Sequence, residues 1–416
     1  MPLRFLHLAD PHIDSPMKGL RQFADAPVEQ LRSATRDAFA AAMTYAIDEA
    51  IPLVVIAGDL FDNAWEDIAT GLWVVEQFIR LRDAGVKVCL IRGNHDAASL
   101  LPTRLRWPEN VHEFTADGAD TWIDEDLGVA VHGQSFADRS VPEDLAALYP
   151  SRRSGLFNIG LLHTSLTGSA AHDTYAPTSL DVLYDRGYDY WALGHIHKRE
   201  QFDGPVPVAF AGNMQGRSVR ETGPRGGLLV EIDGAAPTLS FVPFDAVRWN
   251  VARVDAERDD ATDDLIAKAV SAVGGLRSDA GGRPVAVRLQ LAGVTGAHHE
   301  IAAADGLDRF EAECRSALLR WPDVWVEKIR LATRPPVDVE AIRGDAGVLA
   351  MLLDACRPEA AAEEVDAASL FEPLRRKLTK AGITPDECGI EFGSQMRDWT
   401  EAAEAILLAT LSQTEG

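Results

Sequence analysis

The chain runs to 416 residues, 46% of them hydrophobic and 25% charged, which is enough for one large catalytic domain and one or two smaller ones. Its 64 acidic against 40 basic residues leave a formal net charge of −24, which provides little of the general attraction for polyanions that Lys and Arg supply. The opening residues lack a signal-peptide layout and no apolar run approaches membrane-spanning length, so a cytoplasmic protein is expected.

The charge is unevenly spread. Residues 255–264 and 358–366 are markedly acidic, whereas arginines gather at Arg104 and Arg106, at Arg152 and Arg153, and at Arg217, Arg220 and Arg225. The four cysteines, Cys89, Cys314, Cys356 and Cys388, form no C-x-x-C pair and read as reduced thiols.

Taken in order, residues 5–9, 53–57 and 86–91 are apolar runs of buried-strand character, separated by helical patterns at 28–49 and 66–83. Further strands are expected at 128–131, 156–162, 188–193 and 206–211. Strands alternating with helices predict βαβ units in an α/β fold, with ligand sites beyond the carboxyl ends of the strands. From about residue 246 the pattern changes to a strand at 247–254, a helix at 262–273, a strand at 284–291, a helix at 307–319 and a strand at 324–332. This compact β-α-β-α-β unit ends at Pro335-Pro336, and the rest is expected to be helical, including 369–378 and 399–411. The expected domains are therefore 1–245, 246–335 and 336–416.

Chemically distinctive residues begin where the apolar runs stop: Asp10-x-His12, Gly58-Asp59-x-x-Asp62, Gly93-Asn94-His95-Asp96, a single His163, and Gly194-His195-x-His197. Taken singly, most of these have ordinary explanations, such as a loop pair, a Gly-Asp turn or a core histidine. All five in this order carry enough carboxylate, imidazole and amide ligands for two adjacent divalent metals. Asp59 has two oxygens and is the natural bridge, while mixed nitrogen and oxygen ligation suits Mn, Fe, Zn or Co better than Mg or Ca. His95 is left over to protonate a leaving oxygen or stabilise the charge on a reacting phosphate, with Asp96 expected as the carboxylate that orients it.

The five motifs resemble those of the calcineurin-like metallophosphoesterase superfamily. Within it, residues 6–16 (LHLADPHIDSP), 211–217 (AGNMQGR) and 221–227 (ETGPRGG) are similar to the SbcD-type DNA repair exonucleases, in their YhaO-like branch. The resemblance implies a four-layer core with central β-sheets flanked by helices, a small α/β capping domain and a helical C-terminal tail. It also implies one metal on Asp10, His12, Asp59 and His197 and a second on Asp59, Asn94, His163 and His195, with manganese the favoured ion. His95 takes the catalytic histidine's place, and Asn213 and Arg217 are expected to contact substrate. Some relatives carry a histidine where this chain has Asp62, which is expected instead to support the metal shell through hydrogen bonds.

The expected function is a metal-dependent phosphodiesterase in which a two-metal centre activates water. The leading substrate is DNA, cleaved exo- or endonucleolytically in repair, with an SMC-like coiled-coil ATPase as partner and a homodimer as a further expectation. The alternative is a metallophosphoesterase acting on nucleotides, cyclic nucleotides or another phosphoester. A metal-binding scaffold without activity is opposed by the complete ligand set and by His95.

Overall fold

The computed structural model describes residues 3–15, 28–62, 68–97, 105–166, 175–234 and 236–336, together with Met351. The helices expected at 369–378 and 399–411 lie outside the described residues. The chain forms β1 (Leu3–Leu8), α1 (Val28–Asp48), β2 (Leu53–Ala57), α2 (Ile68–Asp83), β3 (Lys87–Ile91), the one-turn α3 (Asn94–Ala97) and β4 (Val111–Glu113). Next come β5 (Asp120–Asp124), β6 (Val129–Gly133), β7 (Phe157–His163), α4 (Leu180–Asp185), β8 (Tyr190–Gly194), β9 (Glu200–Phe202) and β10 (Val208–Phe210). The strands β11 (Gly226–Ile232) and β12 (Pro237–Pro243) complete this part.

Two six-stranded sheets result, ordered β12-β11-β1-β2-β3-β4 and β5-β6-β7-β8-β10-β9. Strands β1 to β4 run parallel, as do β6, β7, β8 and β10, while antiparallel strands finish the flanks. The period-2 alternation of side chains explains how each sheet is covered on both faces. Phe5, Leu53, Val55, Ala57, Cys89 and Ile91 pack against Val129, Val131, Ile159, Leu161, Tyr190 and Ala192 of the second sheet. Their neighbours Leu6, Leu8, Val54, Ile56, Val88 and Leu90 instead pack on Phe39 and Met43 of α1 and Val74, Phe78 and Leu81 of α2. On the far side of the second sheet, Leu162, Trp191, Leu193 and Phe210 meet Leu183 of α4 with Tyr149 and Tyr188. Helices, sheet, sheet and helix make the expected four-layer α/β sandwich.

The buried strands fall close to their expected positions because every residue of β2, β6 and β8 is buried, and such strands read as unbroken apolar runs. Sequence reading missed β4, β5, β9, β11 and β12. Most of these are short or lie at the flanks, where half-exposed positions dilute the hydrophobic signal, and β11 opens on Gly226-Gly227, which suggests a turn.

A three-stranded sheet follows, ordered β13-β14-β15, from β13 (Arg248–Ala256), β14 (Val285–Val294) and β15 (Val324–Arg334). Its helices are α5 (Thr262–Asp279), the short α6 (His298–Ala302) and α7 (Gly306–Leu318). Helical spacing buries Leu265, Ala269 and Val273 of α5 and Phe310, Cys314 and Leu318 of α7. The chain divides into two compact units. The first comprises Met1–Asn250, Leu276–Val287 and Asp323–Glu327, and the second Val251–Gly275, Arg288–Pro322 and the chain from Lys328. All five motifs lie in the first. Among the described residues, no helix is long and apolar enough to cross a membrane.

Candidate metal centre

The expected ligands follow the carboxyl ends of parallel strands in both sheets. Asp10 and His12 come just after β1, Asp59 after β2 and Asn94 after β3, while His163 closes β7 and His195 and His197 follow β8. Two sheets packed face to face thus bring distant parts of the chain to one rim. The turns are sharp. Asp10, His12, Asp59 and His195 all adopt positive φ, at 49°, 43°, 51° and 101°, a region that non-glycine residues seldom occupy. Backbone bonds hold the first two loops together, Asp10 N–H donating to the Gly58 carbonyl at 3.1 Å and His12 N–H to that of Asp59 at 3.0 Å. A Cβ on Gly93 would overlap the Asp59 carboxylate and the His163 ring, so this position must be glycine for the ligands to close up.

Three overlapping groups have ligand atoms within 4.8 Å of one another: Asp10, His12 and His197; Asp10, Asp59 and His163; and His12, Asp62 and His95. One oxygen of Asp59, Oδ2, lies 3.8 Å from His12 Nε2 and 3.5 Å from His163 Nε2, between the two sides of the site. Asn94 Oδ1 sits 2.9 Å from His163 Nε2. The His195 backbone N–H donates to both Asp10 oxygens at 3.1 Å, and its ring stands edge-on to His163 with centroids 5.2 Å apart.

The protonation pattern fits a cation site. The Nε2 atoms of His12 and His197 face each other at 3.1 Å, and the buried Nδ1 of His12 has no hydrogen-bond partner. Burial holds His12 down to about 3 and also lowers His163 and His197, so these rings are neutral and offer lone pairs. Burial, then the charge of Asp59, pushes the Asp10 carboxyl well above its ordinary range. Burial alone would also raise Asp59, but the surrounding imidazoles, of which His95 is the one with a raised pKa of its own, and the His95 backbone N–H outweigh it and keep this group ionised. Crowded carboxylates and neutral imidazoles in a buried cluster form a donor set that a divalent cation would satisfy.

His95 is turned differently from expectation. Its Nδ1 lies 2.6 Å from Asp62 Oδ1, and the ring is 22% exposed. Burial disfavours a charged His95, yet the Asp62 hydrogen bond and the Asp59 charge prevail and raise its pKa. Asp62 is held in turn by the Ser15 hydroxyl, which donates to Oδ2 at 2.6 Å. The expected partner Asp96 points elsewhere. Its carboxylate accepts the backbone N–H groups of Leu60, Phe61 and Gly93 at 3.0, 2.8 and 3.1 Å. The orienting role expected of Asp96 therefore passes to Asp62, because three converging backbone donors capture the Asp96 side chain at the start of α3.

These motifs and their neighbours match two family models, the calcineurin-like phosphoesterase over residues 3–199 and the metallophosphoesterase YhaO middle domain over residues 249–334. The chain is 34% identical to the uncharacterized metallophosphoesterase YhaO of Bacillus subtilis (strain 168) over 329 residues, covering 77% of this chain and 80% of that protein. It belongs to the calcineurin-like phosphoesterases, in their YhaO-like branch. Two proteins named DNA double-strand break repair protein Mre11 also match this phosphoesterase chain. That of Methanopyrus kandleri is 25% identical over 62% of this chain and 60% of its own length, and that of Aeropyrum pernix 29% identical over 58% and 60%.

The two expected substrate residues of this phosphoesterase differ in placement. Asn213 is buried and its amide is fully used, donating to the Gln215 carbonyl and to Glu221 and accepting from Arg225, so it does not face a substrate. Arg217 remains 21% exposed beside the ligands, its Nη1 being 3.8 Å from Asp62 Oδ2 and its Nη2 3.2 Å from His197 Nδ1. Glu221 went unrecognised in the sequence, although its Oε1 lies 2.7 Å from His197 Nδ1. The i,i+4 spacing from Arg217 was the available signal, but many surface pairs share it.

Proposed function

We propose that this phosphoesterase is a two-metal phosphodiesterase acting on DNA in repair, as an exo- or endonuclease. Asp10, His12, Asp59 and His197 hold one divalent ion and Asp59, Asn94, His163 and His195 the other, manganese being the favoured ion. When bound, such ions supply Lewis acidity and charge neutralisation to a phosphodiester and activate water. The observation that carries this reading is the single Asp59 oxygen lying 3.8 Å from one imidazole nitrogen and 3.5 Å from another.

The remaining side chains divide the rest of the work. Asp62 keeps the partly exposed His95 ring oriented through Nδ1, which leaves the Nε2–H of the protonated ring to protonate the leaving oxygen. Arg217 takes a non-bridging phosphate oxygen. The names of the Mre11 relatives support DNA as substrate, and with it an SMC-like coiled-coil ATPase as partner, a homodimer and a capping role for residues 246–335. A cytoplasmic location belongs to the same reading. The net charge of −24 favours the second reading, a small nucleotide or cyclic nucleotide as substrate.

One assay separates the two. With manganese, the full chain is given end-labelled linear DNA, circular DNA and bis-p-nitrophenyl phosphate. Loss of end label with circles intact marks an exonuclease, and nicked circles mark an endonuclease. Turnover of the small diester with both DNAs untouched would overturn DNA as substrate.

A further inference from the structure

Glu221 lies in the loop between β10 and β11, away from all five ligand motifs in sequence. Both of its oxygens are fully engaged. Oε1 lies 2.7 Å from His197 Nδ1 and accepts from Arg217 Nη2 at 3.2 Å. Oε2 accepts from Asn213 Nδ2 at 2.9 Å and from the Arg217 backbone N–H at 2.7 Å. Its side chain is only 14% exposed. Arg225 ties the same loop down, donating to Asn213 Oδ1 at 3.0 Å and to the His197 carbonyl.

These contacts fix the His197 tautomer. A carboxylate oxygen cannot donate, so the 2.7 Å contact requires the proton on Nδ1. The longer 3.2 Å approach of Arg217 Nη2 to the same nitrogen is then a neighbour contact, and that N–H belongs to Glu221. With Nδ1 protonated, the lone pair of a neutral His197 is on Nε2, which faces His12 across 3.1 Å. The same carboxylate sets the aim of Arg217, whose other arm reaches toward Asp62, the partner of His95.

We propose that Glu221 is a positioning residue that locks His197 for metal and Arg217 for phosphate at once, so that ion binding and substrate binding are coupled through one side chain. This inference rests on the two-metal reading above. Without the carboxylate, His197 is free to rotate or change tautomer, and Arg217 loses the anion that fixes one arm, leaving the other arm's 3.8 Å contact with Asp62.

The test is manganese titration of the full chain by calorimetry, without substrate, for wild type, Glu221→Ala and Glu221→Gln, with thermal unfolding to establish folding. Loss of such a hydrogen-bonded carboxylate behind a metal ligand costs about 10- to 100-fold in metal affinity. That weakening is expected for one of two ions in Glu221→Ala. Glu221→Gln, which keeps one acceptor, is expected to show a smaller effect. At saturating manganese, the remaining defect on bis-p-nitrophenyl phosphate should fall on KM. The double variant Arg217→Met/Glu221→Gln should then have the KM of Arg217→Met alone. Wild-type manganese affinity in a folded Glu221→Ala overturns the proposal; if that variant does not fold, wild-type affinity and KM in Glu221→Gln do the same. A wild type that binds no manganese overturns the metal centre beneath it. A wild type that binds two ions and cleaves no phosphodiester overturns the proposed reaction, while the titration still decides the role of Glu221.

Discussion

Two aspartates, one beside His95 in the chain and one 33 residues away, show how little sequence distance says about partnership. Asp96 is adjacent to His95 in the chain, but its carboxylate is spent on three backbone N–H groups. Asp62, on a different loop, holds the ring. Variants of these residues should therefore fall into two classes. His95→Ala is expected to lower kcat on bis-p-nitrophenyl phosphate by about 10²- to 10⁴-fold while retaining metal, and Asp62→Asn to act in the same direction. Asp96→Ala should instead cost about 1–3 kcal/mol of stability, by leaving buried backbone donors unpaired. Elemental analysis, kinetics and denaturant unfolding distinguish the classes. Full activity in His95→Ala, or unchanged stability in Asp96→Ala, would remove the respective assignment.

At the scale of elements, the site exists because the ends of β2 and β8, from different sheets, come close enough to touch through backbone. A Cβ on Gly194 would overlap the Ala57 carbonyl at the end of β2. Gly194 also pairs with His163 across β7 and β8, so one glycine sits where both sheets and a proposed ligand converge. Gly194→Ala is expected to cost about 1–3 kcal/mol through overpacking. It should also weaken manganese binding, since relief requires the sheets to move apart. Gly118, whose Cβ would meet nothing within 4 Å, provides the control, and Gly118→Ala should change stability by no more than about 0.5 kcal/mol. Equal losses in the two variants, measured by denaturant midpoint, would argue against the close approach.

At the scale of the whole sandwich, His7 links the sheets away from the ligands. Its Nδ1 lies 2.9 Å from the Tyr190 hydroxyl and its Nε2 3.2 Å from the Leu193 carbonyl, both on β8. Burial lowers its pKa from 6.5 to about 3, so the ring is neutral in the folded protein and charged in an unfolded chain at mildly acid pH. Its contribution to stability is complete above pH 6.5 and is lost as pH falls toward 3. The slope attributable to one such proton is at most about 1.4 kcal/mol per pH unit. His7→Gln should therefore lose stability less steeply than wild type between these limits. Parallel curves for the two proteins in a pH series of unfolding midpoints would contradict this.

The sequence by itself determined the buried strands, because unbroken apolar runs such as Leu53–Ala57 can only be covered on both faces. It also determined the metal-binding vocabulary, because Asp10-x-His12, Gly58-Asp59, Gly93-Asn94 and Gly194-His195-x-His197 each begin where a strand stops, at the rim of an α/β sheet. Tertiary structure decided which groups within that vocabulary serve one another. Asp62 rather than Asp96 meets His95, Glu221 rather than a motif residue fixes His197, and Asn213 turns inward to the loop instead of outward to a substrate. Strand burial is a local property written in hydrophobic pattern, whereas a hydrogen-bond partner depends on loop paths and on the approach of two sheets, for which one chain's residue order carries no period.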